Sequence, residues 1–102
     1  IIRSAFPPAS VTGCPKIRAM EIIHELEQCD RGLYCGCIGL MCFNGDFDLS
    51  VAIRTAVYVP QKHEGHVYFS AGSGIVWESE PIKEYEETLH KASPMFKAIR
   101  EV

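Results

Sequence analysis

The sequence predicts an α+β fold in the order helix, antiparallel strands, helix. Three observations predict it. Apolar residues recur at helical spacing over residues 17–26 and again over 82–99. Between them lies a β-rich stretch with period-two alternation. Asn44-Gly45 and the polar residues 60–65 divide that stretch into hairpins.

Residues 1–14 contain Pro7-Pro8, Ser10, Thr12 and Gly13 and read as loop. Pro15 suits the first position of a helix, and Ile17, Ala19, Met20, Ile22, Ile23 and Leu26 give it an apolar face. Gly32 is its expected stop. Residues 34–43 and 47–59 are expected strands. On the second, Leu49, Val51 and Ile53 point one way and Ser50, Ala52, Arg54 and Ala56 the other. A further strand near 66–71 is interrupted by Gly72-Ser73-Gly74 and resumes at Ile75-Val76-Trp77. The last helix begins near Ser79 or Glu80 with Pro81 just inside. Ile82, Tyr85, Leu89, Ala92, Phe96 and Ile99 form the stripe expected to face the sheet. Pro94 predicts a kink or restart there, with Ser93 as a cap.

The chain has 102 residues, 47% hydrophobic and 23% charged, with a formal net charge of −3, which fits one modest soluble domain. The acidic balance argues against a nucleic-acid partner. No apolar run approaches the roughly 20 residues of a membrane span, and no secretory signal pattern is present. Five cysteines without disulfide-framework spacing point to a reducing cytoplasm. Cys35 and Cys37 alternate on an expected strand, as a metal pair or as buried free thiols. The first residues, from Ile1 to Pro8, read as a continuing segment, so the chain is expected to be a piece of a larger protein.

Four places could carry chemistry. Ser10 to Lys16 leads into a helix N-terminus, where unpaired N–H groups and the positive dipole end hold anions; it fits a capped helix start equally. Arg54 has small strand neighbours that leave room for a bidentate carboxylate pair, or it is an exposed arginine on a solvated face. Tyr34 could add a hydroxyl. Gly72 and Gly74 mark a bulge or a close backbone approach to a ligand. Glu84, Glu87 and Lys91 fall within roughly 60° of one another on the last helix. That cluster fits two carboxylates bridged by Mg²⁺, or a solvated face with a Glu87–Lys91 pair. His24, His63, His66 and His90 are scattered and receive no catalytic role.

Taken in order, these segments resemble the chorismate-binding enzymes. The resemblance is carried by Ser10-Val-Thr-Gly-Cys-Pro-Lys-Ile-Arg-Ala-Met-Glu-Ile-Ile23, Tyr34-Cys-Gly-Cys-Ile-Gly39 and Asn44-Gly-Asp-Phe-Asp48. Ala52-Ile-Arg-Thr55, Ala71-Gly-Ser-Gly-Ile-Val76 and Glu84-Tyr-Glu-Glu-Thr-Leu-His-Lys-Ala92 complete it, so it covers essentially the whole chain.

The resemblance implies roles by position. Glu84 and Glu87 would hold Mg²⁺ directly or through water, and the metal would bridge to the ring carboxylate of chorismate. Lys91 would contact that carboxylate. Arg54 and Tyr34 would bind the enolpyruvyl carboxylate, helped by backbone at Gly72, Ser73 and Gly74. Ser10 would lie at the ring, and Gly13 would let its loop close. Thr12-Gly13 before Cys14-Pro15-Lys16 leans toward the aminodeoxychorismate synthase branch, with a glutamine amidotransferase supplying ammonia. Anthranilate synthase shares nearly all these residues, and a non-catalytic binding module of the same fold is a third reading. Residues 1–102 would form the C-terminal portion of a chorismate-binding domain. An upstream half would carry the remaining metal ligand and the acid–base residues. Alone, the piece is expected to be inactive and to oligomerise through exposed surface.

Overall fold

The computed structural model describes residues 1–101. The chain divides into two compact units, Ile1–Ile53 and Arg54–Val102, and each is described by itself. Helices and two small antiparallel sheets make the expected α+β content.

The first unit opens with two short helices, α1 (Ile2–Ala5) and α2 (Ala9–Thr12), where the sequence predicts loop. The Phe6, Pro7 and Pro8 break separates them, and Pro8 in extended backbone stands ahead of α2. α3 spans Lys16–Leu26, with Pro15 as its N-cap rather than its first helical residue. It stops well before Gly32, because Glu27 turns to extended backbone at ψ 134. The Glu27 carboxylate is then taken by Arg31, whose Nη2 lies 2.6 Å from Oε1 and whose Nε lies 2.9 Å from Oε2. Arg31 Nη1 also donates to the Val11 carbonyl at 3.1 Å and to Cys35 Sγ at 3.4 Å. One guanidinium thus ties α2, the end of α3 and the following turn together.

β1 (Cys37–Met41) pairs antiparallel with β2 (Phe47–Val51), Cys37 opposite Val51 and Met41 opposite Phe47. Strand β1 starts three residues later than the sequence suggests, so Tyr34 and Cys35 belong to the turn before it. Cys35 is buried and has φ 67, which removes it from the alternation that would pair it with Cys37. The Cys42–Asp46 backbone pair leaves a three-residue loop, with Gly45 at φ 94. This is a turn closed by a left-handed glycine, not the two-residue turn that Asn44-Gly45 suggests.

The expected long strand 47–59 breaks at Ala52 to Thr55. Ala52 exchanges backbone hydrogen bonds with Cys35 and Gly36, and Arg54 takes φ 50. The second unit therefore begins with a new strand, β3 (Ala56–Pro60). It pairs with β4 (Gly65–Phe69), Ala56 opposite Phe69 and Pro60 opposite Gly65. Residues 70–76 are irregular, and the strand expected to resume at Ile75 does not form. The glycines there sit in an open segment rather than in a bulge.

α4 spans Pro81–Arg100, starting where Pro81 predicts. It continues through Pro94 as one helix, so the expected restart is absent. Phe96 meets Phe69 of β4 edge to face at 5.2 Å, and Ala92 is buried. Ile82, Tyr85, Leu89 and Ile99 of the same stripe remain exposed. Only Cys35, Ala52 and Ala92 are buried apolar residues among those described. No helix among the described residues is long and apolar enough to cross a membrane.

Candidate functional site

Ser10, Gly13 and Tyr34 belong to the first unit. Ser10 is exposed within α2 rather than in an open loop. The Thr12 hydroxyl donates to the Pro8 carbonyl at 3.0 Å, so its proton is committed inside α2. No side chain caps α3, and the capped-start reading of this segment does not hold. Gly13 ends α2 at φ 126, where a Cβ would lie 3.0 Å from that of Ala19. Only glycine suits both demands. Lys16 Nζ folds back on the carbonyls of Ser4 at 2.7 Å and Phe6 at 3.3 Å.

Tyr34 is half-buried, with the Arg31 guanidinium 5.5 Å from its ring centre. Burial, then the neighbouring Cys35, pushes its phenol above the ordinary range. The hydroxyl therefore stays protonated and able to donate. A cleft of about 300 Å³ lies beside it, lined by Met20, Ile23, Glu27, Arg31 and Cys35 among others.

The other candidates belong to the second unit. Arg54 is exposed, in left-handed backbone between strands, and its guanidinium pairs with no described residue. It lies outside β2 and β3, so small strand neighbours do not make room for it. Tyr34 and Arg54 fall in different units.

Gly72, Ser73, Glu84, Glu87 and Lys91 do come together. Lys91 Nζ lies 2.5 Å from Glu87 Oε1 and donates to the Gly72 carbonyl at 3.3 Å. Gly74 has open space around its Cα and belongs to the same irregular segment. The Ser79 hydroxyl donates to Glu84 Oε1 at 2.6 Å. The Ser73 side chain stands beside the same carboxylate. Glu84 Oε2 is buried and has no hydrogen-bond partner among the described residues. Ser79 first, then Ser73 and Lys91, hold the Glu84 carboxyl below its ordinary range, against desolvation. Ser73, Ser79, Glu84, Tyr85 and Thr88 line a cleft of about 340 Å³.

These contacts make α4 and the segment from Gly72 to Ser79 one polar site with two carboxylates and one ammonium. Among the described residues no three His, Cys, Asp or Glu side chains converge as a metal site. Glu84 and Glu87 are the candidate oxygen donors. Sequence reading missed Ser79 as part of this site and took it only for a helix start. Its signal is a hydroxyl five residues before Glu84, just ahead of the helix.

Residues 1–97 match the sequence model of a family described as chorismate binding enzyme. Anthranilate synthase component 1 of Aquifex aeolicus is 46% identical over 97% of this chain and 19% of its own length. That of Streptomyces coelicolor is 48% identical over 97% of this chain and 19% of its own length. Aminodeoxychorismate synthase component 1 of Klebsiella aerogenes is 50% identical over 91% of this chain and 20% of its own length. The chain thus spans about a fifth of the length of the curated relatives it matches.

Proposed function

Because this chain belongs to the chorismate-binding enzyme family, we propose that it forms the C-terminal portion of the chorismate-binding domain of an aminodeoxychorismate synthase component I. The whole protein would exchange the 4-hydroxyl of chorismate for an amino group, consuming ammonia and releasing water. A glutamine amidotransferase partner would supply the ammonia.

The observation that carries the site is the junction of Gly72, Glu84, Glu87 and Lys91. Glu84 is held ionised and keeps one buried oxygen without a proton donor. Two carboxylates, joined by the remaining ligand expected from an upstream half, suit Mg²⁺, which takes oxygen donors and retains several waters. When bound, Mg²⁺ supplies charge neutralisation and orientation of a carboxylate. Glu84 and Glu87 would hold it. Lys91 would turn from Glu87 toward the substrate carboxylate, within reach of the Gly72 backbone. Arg54, whose planar guanidinium pairs with no described residue, would take the second carboxylate bidentately. Within the first unit, Gly13 would let the Ser10 loop close. These are positioning roles, and their effect is to hold one productive geometry.

Thr12-Gly13 and the Klebsiella relative support the aminodeoxychorismate branch. The Aquifex and Streptomyces relatives support anthranilate synthase as a second reading with the same site. The test is a product assay on the full-length protein with chorismate, Mg²⁺ and ammonium, read by mass. 4-Amino-4-deoxychorismate is the expected product. Anthranilate would keep the site and change the branch, and unaltered chorismate would overturn the reading.

A further inference from the structure

We propose that Ser79 is a positioning residue that gives the two oxygens of Glu84 different tasks, reserving Oε2 for a divalent cation; this rests on the metal reading above. A serine hydroxyl has one proton to give and lone pairs to accept with. The Val76 N–H donates to Ser79 Oγ at 2.9 Å, while the Ser79 N–H donates to the Val76 carbonyl at 3.0 Å. That reciprocal pair fixes the serine on its turn. The amide can only donate, so the hydroxyl proton goes to Glu84 Oε1, at 2.6 Å.

Ser79 thereby holds the carboxylate by Oε1. The Thr88 hydroxyl does not compete, because it donates to the Glu84 backbone carbonyl at 3.1 Å. Oε2 remains buried and has no donor among the described residues. A carboxylate with one oxygen hydrogen-bonded and the other without a donor among the described residues is prepared for a cation at the bare oxygen. Hydrogen bonds to a ligating carboxylate orient it, and losing such a partner costs about 10- to 100-fold in metal affinity.

The experiment measures Mn²⁺ binding to the full-length protein by electron paramagnetic resonance, for wild type, Ser79→Thr, Ser79→Val and Glu84→Gln. Threonine and valine share a shape and differ in the hydroxyl. Ser79→Val is expected to weaken Mn²⁺ binding about tenfold or more, and Ser79→Thr to stay within about threefold of wild type. In turnover, Ser79→Val should raise the Mg²⁺ concentration for half-maximal rate and recover kcat at saturating Mg²⁺. If Ser79→Val does not fold, Ser79→Cys, a weak donor of similar size, takes its place with the same expected loss. Equal Mn²⁺ affinity with and without the hydroxyl would overturn the proposal while Glu84→Gln still lost the metal. Unchanged Mn²⁺ binding in Glu84→Gln would overturn the metal reading itself.

Discussion

Lys91 Nζ lies 2.5 Å from Glu87 Oε1, one turn away on α4, and the same ammonium reaches the Gly72 carbonyl. The pair is about half exposed, with side-chain exposures of 40% and 50%, so water screens it. Lys91→Ala should therefore change stability by no more than about 0.5 kcal/mol. If Lys91 meets a substrate carboxylate, the same variant should raise the KM for chorismate about tenfold or more, since a charge-assisted bond is lost. Steady-state kinetics and thermal melting of the full-length variant check both.

Arg54 combines φ 50 with an exposed side chain that pairs with no described residue. A non-glycine residue in that backbone region costs about 1 kcal/mol or more, and such strain collects at functional positions. Arg54→Gly is expected to be no less stable than wild type and to lose chorismate binding. Denaturant unfolding and calorimetric titration separate the two effects. A destabilised variant with normal binding would assign Arg54 to the fold instead.

Glu27 carries a pH dependence of stability. The hydrogen bond from Arg31 holds its carboxyl below the ordinary value of 4.5. A depressed folded value means the stabilisation is present above 4.5 and is lost as pH falls through the folded value. Glu27→Gln should lower stability at pH 7 by about 1 kcal/mol or less, because the pair is part-exposed. The difference from wild type should vanish in acid. Unfolding curves at several pH values check it.

Trp77 is 97% exposed, and Phe43, Leu40, Met41 and Ile82 are also uncovered, while among the described residues only Cys35, Ala52 and Ala92 make an apolar core. Large uncovered apolar surfaces drive association. The 102-residue polypeptide expressed alone should self-associate in sedimentation, with Trp77 fluorescence shifting as concentration rises. A monomer at high concentration with water-exposed Trp77 would contradict this.

Much of this architecture is legible in the sequence because it depends on local signals. Pro81 sets the start of α4, the polar residues 60–65 set the β3–β4 turn, and i, i+4 spacing announces Glu87 with Lys91. The misplaced elements turn on competition between local and longer-range bonds. No glycine or proline interrupts Ala52 to Ala56, yet Ala52 bonds back to Cys35 and Gly36 and ends the strand. Thr12 looks like a free hydroxyl until α2 forms and the Pro8 carbonyl takes its proton. Ser79 reaches Glu84 only because the chain turns back at Val76, which no spacing rule announces.

The most direct test of the α4 site is calorimetric titration of the full-length protein with chorismate, with and without Mg²⁺, in wild type and Glu87→Gln. The account predicts that Mg²⁺ tightens chorismate binding about tenfold or more in wild type and much less in Glu87→Gln. Equal tightening in both proteins, or none in wild type, would contradict it.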